Sequence, residues 1–157
     1  MLASLTLMAA LAGFIQSPAV DELTSLARVG PESVLAARAR DRPNDVRDAL
    51  RRLFIQAAND PSDTIPLIIS GRLVQAYTLA WRDSFLLRQV AWFAARSPSE
   101  RRSKVRGDSL RRAGNDALSR VGVQAALLDW REGLARYQHL ADSAGTAATP
   151  FAPSSWP

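Results

Sequence analysis

The chain has 157 residues, a formal charge of +5 and 47% hydrophobic residues, which suits one domain of ordinary size with a modest core. It contains no cysteine, so disulfides, thiol catalysis and thiolate metal sites are excluded. Ala, Leu and Arg dominate and strand-type runs of Val, Ile and Thr are nearly missing, which predicts an all-α fold.

Residues 2–15 carry no charge. The run is too short to span a bilayer, which takes about 20 residues, but it has the length of a signal-peptide apolar region. Ser17-Pro18-Ala19 then places small residues at the two positions a signal peptidase reads. Residues 1–19 are therefore expected to be a cleaved leader and the protein to be exported, periplasmic or extracellular. Without cleavage it would be cytoplasmic. The competing reading is a buried or amphipathic first helix, although Leu2, Leu5, Leu7, Leu11, Phe14 and Ile15 run round the whole helix instead of down one stripe.

Short helix signals follow. Val20, Leu23, Leu26 and Ala27 stand at helical spacing and Gly30 stops the run. Pro31 opens a second helix, broken at Asp41-Arg42-Pro43. Val46, Ala49, Leu50, Leu53, Phe54 and Ala57 step by three and four, and Asn44 or Asp45 is expected to cap that helix. Asn59-Asp60-Pro61-Ser62-Asp63 reads as a loop. Pro66 opens a strongly apolar helix through Trp81, predicted to lie at the centre of the core. After a corner at Arg82-Asp83, a helix runs from Phe85 to about Ala95. Ser97-Pro98-Ser99-Glu100 is a capping-box start for a helix reaching Arg120. Gly122 precedes a last helix from Val123 to about Ala141. These boundaries define a helical domain over 20–142 and a tail over 143–157 that is expected to be disordered.

Nineteen of the twenty basic residues are Arg, Lys104 being the exception, as an Arg-rich codon usage would give. Seven of them fall between Arg96 and Arg112 against only Glu100 and Asp108, so this stretch alone equals the whole formal charge of +5. Arg101, Arg102, Lys104 and Arg106 are the candidate anion or partner contacts. Basic helices neutralise nucleic-acid phosphates or lipid headgroups. Here the charges do not form one clean stripe, and the run has no aromatic residue to stack on a base.

Residues 110–137 resemble a tetratricopeptide repeat. Leu110, Ala113, Gly114 and Ala117 stand in the first helix of the pattern. Ala126 and Trp130 supply the A-x3-aromatic pair of the second, and Gly133 follows as a small residue. Leu110 and Ala117 replace the family's leading Trp and its Tyr, and the terminating Pro is missing. Leu140-Ala141-Asp142-Ser143-Ala144-Gly145 is similar to the Gly-Asp-x-x-Gly link of a long-helix variety of the repeat. The resemblance covers about a fifth of the chain, and no second copy is evident. It implies helical hairpins stacked into an array, a non-enzymatic protein-binding role, and a chain that is a segment of a longer repeat protein. A plain helical hairpin with small residues at its crossing is the simpler alternative.

Residues that could carry chemistry are few. His139 is the only histidine, and it reads as a solvated surface residue late on a helix. Asp129 and Glu132 could pair as acid and base, but Glu132 with Arg136 reads as an i,i+4 surface pair. Gly71, Gly107, Gly114 and Gly122 fit no phosphate-cradle spacing. No catalytic residue, metal site or cofactor is expected. The expected function is a protein-protein interaction module on a helical-repeat scaffold. The alternative is a basic helical nucleic-acid-binding protein using residues 96–112. Another protein is the expected partner, with nucleic acid and, once the leader is gone, membrane disfavoured.

Overall fold

The computed structural model describes residues 17–142 together with 145, 146 and 149. The proposed leader lies outside the described residues up to position 16, and so does most of the proposed tail. Seven helices, and no strand, are found among the described residues: α1 (Pro18–Val29), α2 (Glu32–Asp41), α3 (Pro43–Asn59), α4 (Ile65–Trp81), α5 (Phe85–Ala94), α6 (Pro98–Arg120) and α7 (Val123–His139). The all-α expectation holds.

Proline sets several of the starts. Pro18, Pro43, Pro66 and Pro98 each occupy the first or second helical position, where the missing N–H is no loss. Ser97 and Glu100 form the expected capping box, the Ser97 hydroxyl accepting from the Glu100 N–H and the Glu100 carboxylate accepting from the Ser97 N–H. Neither Asn44 nor Asp45 caps α3. Pro43 already lies inside that helix, so Arg42 takes the cap position without a side-chain bond.

Helices α1–α5 share one core. The three-and-four spacing of α3 puts Val46, Ala49, Leu50, Leu53, Phe54 and Ala57 all inside. Phe54 stacks face to face on Phe93 of α5 at 4.0 Å between centroids. Buried alanines at 27, 39, 49, 57, 58 and 76 let the backbones approach closely. Helix α4 is the hub, touching α1, α2, α3 and α5. The other four gather round α4 instead of stacking in chain order: α2 packs mainly on α4, and α1 on α3 and α4.

Helices α6 and α7 form the hairpin that the sequence predicts, their contact being the most extensive in the fold. The two-residue link uses Gly122 at φ 119°, a conformation that favours glycine. Residue pairing runs antiparallel: Gly107 meets Tyr137, Gly114 meets Trp130, and Gly133 meets Leu110 and the Gly107 carbonyl. The hairpin joins the body through α3 and α6. Val105 packs on the core there, and Arg101 donates to the Phe93 and Ala94 carbonyls at the end of α5, at 3.2 and 2.6 Å.

Three positions of the 143–157 tail, Gly145, Thr146 and Thr149, are among the described residues. Gly145 and Thr149 are buried, the Gly145 and Thr146 N–H groups donate to Asp142, and the Thr149 hydroxyl donates to the Gly145 carbonyl. Gly145 and Thr146 are helical, and Gly145 lies against the Tyr137 ring.

Candidate interaction surfaces

The seam of the hairpin is built from alternating small and large side chains. Gly107, Leu110, Gly114 and Ala117 step by three and four along α6. Ala126, Trp130, Gly133 and Tyr137 do the same along α7. Leu110, Gly114, Ala126, Trp130 and Gly133 are buried as the repeat-like pattern requires, and Ala117 is half-buried. A Cβ on Gly114 would come within 2.5 Å of the Trp130 ring, and one on Gly107 within 2.8 Å of Tyr137. The Trp130 indole N–H donates to Asn115 Oδ1 at 3.1 Å. Ala113 departs from the expectation. It is exposed, because the seam steps from Leu110 to Gly114 and passes over it.

The basic run does not form one surface. Lys104, read as an anion or partner contact, is only 7% exposed. Its ammonium donates to Asp108 Oδ1 at 2.7 Å, lies 3.0 Å from Asp142 Oδ2 without a hydrogen-bond alignment, and sits 4.9 Å from the centre of the Tyr137 ring. A buried ammonium needs such partners, since an unpaired charge in the interior is very costly. Arg101 is committed to the end of α5, Arg96 pairs with Glu100, and Arg112 stands 4.0 Å from Asp48. Arg102 and Arg106 are exposed. Arg106 and, more strongly, the Arg136 side chain hold Glu132 below the usual carboxylate range.

Tyr137 completes the Lys104 cluster. Its hydroxyl donates to the same Asp108 oxygen at 2.8 Å. Burial first, and then the Asp108 charge and hydrogen bond, push its phenol well above the usual range, with Arg111 opposing. The cluster is two carboxylates, one ammonium and one phenol, closed over by Gly145. Sequence reasoning missed it. Lys104 with Asp108 is a legible i,i+4 pair, but Asp142 comes from beyond the far end of α7.

The other surface lies on α4. Its core side is buried, yet Ile65 is 52% exposed and Ile68 and Leu79 are each 61% exposed. With Arg72 and Gln75 between them they recur every three and four residues, the spacing of a helix–helix seam. Arg72 reaches back to donate to the Arg28 and Gly30 carbonyls at 2.9 and 2.8 Å. Val29, 80% exposed, stands between those carbonyls beside the stripe. Gly71 flanks it, and an added Cβ there meets nothing within 4 Å among the described residues. Packing among the described residues therefore gives no reason for a glycine that weakens the middle of a helix.

His139 is exposed, and Glu132 bonds Arg136 at 2.8 Å. Among the described residues, no group of three or more His, Cys, Asp or Glu could hold a metal ion. An open groove of about 290 Å³ runs along Ser33, Val34, Ala37, Arg38 and Asp41 on α2. No helix among the described residues is long and apolar enough to cross a membrane. Comparison with protein-family models, with curated proteins and with solved structures finds no match to this chain.

Proposed function

We propose that the protein is a non-enzymatic interaction module, exported and part of a repeat-type helical assembly, which binds an amphipathic helix of another protein along the outer face of α4. The observation that carries this is the heptad-spaced stripe of Ile65, Ile68 and Leu79 on an apolar hub helix. Helix α4 is covered by α1, α2, α3 and α5 over most of its surface, and the stripe is the face that stays exposed. Ile65, Ile68 and Leu79 take the i, i+3 and i+14 positions of the register by which a helix is laid into a groove, Arg72 and Gln75 stand between them, and Gly71 leaves room for close approach of the partner backbone. The small-and-large seam of α6–α7 supports the tetratricopeptide-like assignment of that hairpin.

Nucleic-acid binding draws less support. The strongest basic run spends Lys104 inside and Arg101 on the α5 carboxyl end, which leaves few free cations on one face. The test is capture from the native host with full-length protein and with an Ile68→Glu, Leu79→Glu variant. Both positions are solvent-facing, so the variant should fold. A protein retained by the wild type and lost with the variant supports the role, and equal retention by both refutes it.

A further inference from the structure

The Lys104 cluster has the features of a receiving site that the chain fills with its own end. Helix α7 stops with the Ala141 N–H donating to the Gln138 carbonyl at 3.1 Å and the Asp142 N–H to the Tyr137 carbonyl at 2.8 Å, Ala141 standing at φ 52°. This is a Schellman-type stop with alanine where glycine is usual. Asp142 then begins the next turn. Its carbonyl accepts from the Thr146 N–H at 3.0 Å, and Oδ1 accepts from the Gly145 N–H, also at 3.0 Å. That is the bonding of an N-cap aspartate.

Asp142 and Gly145 each meet a complementary group on the hairpin. The second carboxylate oxygen of Asp142 faces the Lys104 ammonium from α6. Gly145 lies flat on the Tyr137 ring of α7, where a Cβ would fall 2.5 Å from a ring carbon and 2.5 Å from Asp142 Oδ2. The site therefore asks its occupant for a carboxylate, a helical turn and, three residues on, no side chain. Asp142, Gly145 and Thr149 lie at 5%, buried and 3% exposure, so the fit is close.

We infer that Lys104 and Tyr137 form a docking site for an Asp-x-x-Gly helix start, occupied in cis by Asp142 and Gly145, and that another polypeptide bearing the same pattern takes the site when these two residues are displaced. The site lies on the hairpin, apart from the α4 stripe, and stands independently of it. The cis segment acts as a latch. Tethered through so short a link, it competes at an effective concentration of about millimolar, so an incoming peptide meets an occupied site in the resting chain.

The test uses the full chain and a labelled peptide with the sequence of residues 140–151. In an Asp142→Ala, Gly145→Glu variant, the carboxylate is gone and the new side chain cannot sit on Tyr137, so the latch is released. The peptide should bind this variant saturably, and at least about tenfold more weakly to the wild type. Replacing the peptide's own Asp by Asn should weaken binding to the variant by about tenfold or more, since it leaves Lys104 short of a buried partner. On the wild-type chain, peptide in large excess should speed hydrogen exchange at the Gly145 and Thr146 amides, and the Asn peptide should not. This second measurement needs no altered protein. Equal binding of the Asp and Asn peptides, or unchanged Gly145 exchange under excess Asp peptide, would overturn the docking site.

Discussion

Replacing Gly114 by Ala isolates the packing of the hairpin seam. The new Cβ would fall 2.5 Å from Trp130 Cδ1 and Nε1 and 3.1 Å from the Ala126 carbonyl oxygen. Trp130 is buried and its indole N–H is held by Asn115, so the ring has little room to withdraw. Overpacking of this kind costs about 1–3 kcal/mol, while exchanging Gly for Ala inside a helix gains about 1 kcal/mol. The two nearly offset at the lower end, so a second substitution is needed to separate them. Gly71→Ala supplies it, because the propensity gain is the same and the added Cβ meets nothing. Gly71→Ala should stabilise by about 0.5–1 kcal/mol. Gly114→Ala should then lie about 1–3 kcal/mol below Gly71→Ala, a gap of roughly 4 °C in Tm per kcal/mol for a domain of this size. Urea and thermal melts followed by far-UV circular dichroism read the difference. Equal stability of the two variants would mean that the α6–α7 crossing is not packed through Gly114 and Trp130.

Other expectations follow from the same geometry. Leu73, fully buried on α4, should cost about 2–5 kcal/mol when cut to Ala, and a denaturant melt without that loss would misplace the core. Ala141→Gly should stabilise by about 0.5–1 kcal/mol, since it relieves a left-handed alanine at the price of extra unfolded-state entropy; no gain in urea midpoint would remove the Schellman-type stop. Tyr137 has its phenol raised by burial and Asp108, so the fold favours the neutral form. Its contribution is fully present below the ordinary phenol pKa of about 10 and is lost as pH rises beyond it. Urea midpoints measured across that range should fall less steeply for Tyr137→Phe than for the wild type, and parallel declines would contradict the buried placement.

Much of the fold is legible in the sequence because local signals agree with one another. Proline at the helix starts, the Ser97–Glu100 box and the three-and-four spacing of α3 each specify an element without help from the rest of the chain. Side-chain fate depends on distant partners and is harder to read. Lys104 sits in the most basic stretch, and its burial is decided by Asp142, 38 positions on by residue number and brought back by the α6–α7 turn. Ala113 fits a family pattern in sequence, yet the seam spacing through Leu110 and Gly114 turns it outward. Helix α4 shows the same limit. Its apolar character correctly marks it as the hub, but composition alone does not say which of its sides other helices cover. Ile65, Ile68 and Leu79 belong to the side that no helix among the described residues covers.

The α4 face is tested most directly by site-specific photo-crosslinking in the native host. A photoreactive residue replaces Gln75, which is exposed in the middle of the stripe, or Asn59, which is exposed at the end of α3. The expected result is a discrete protein adduct from position 75 that is absent from position 59 and disappears when Gly71→Leu fills the space beside the stripe. No adduct at position 75, or the same adduct from both positions regardless of Gly71→Leu, would contradict an interaction module built on α4.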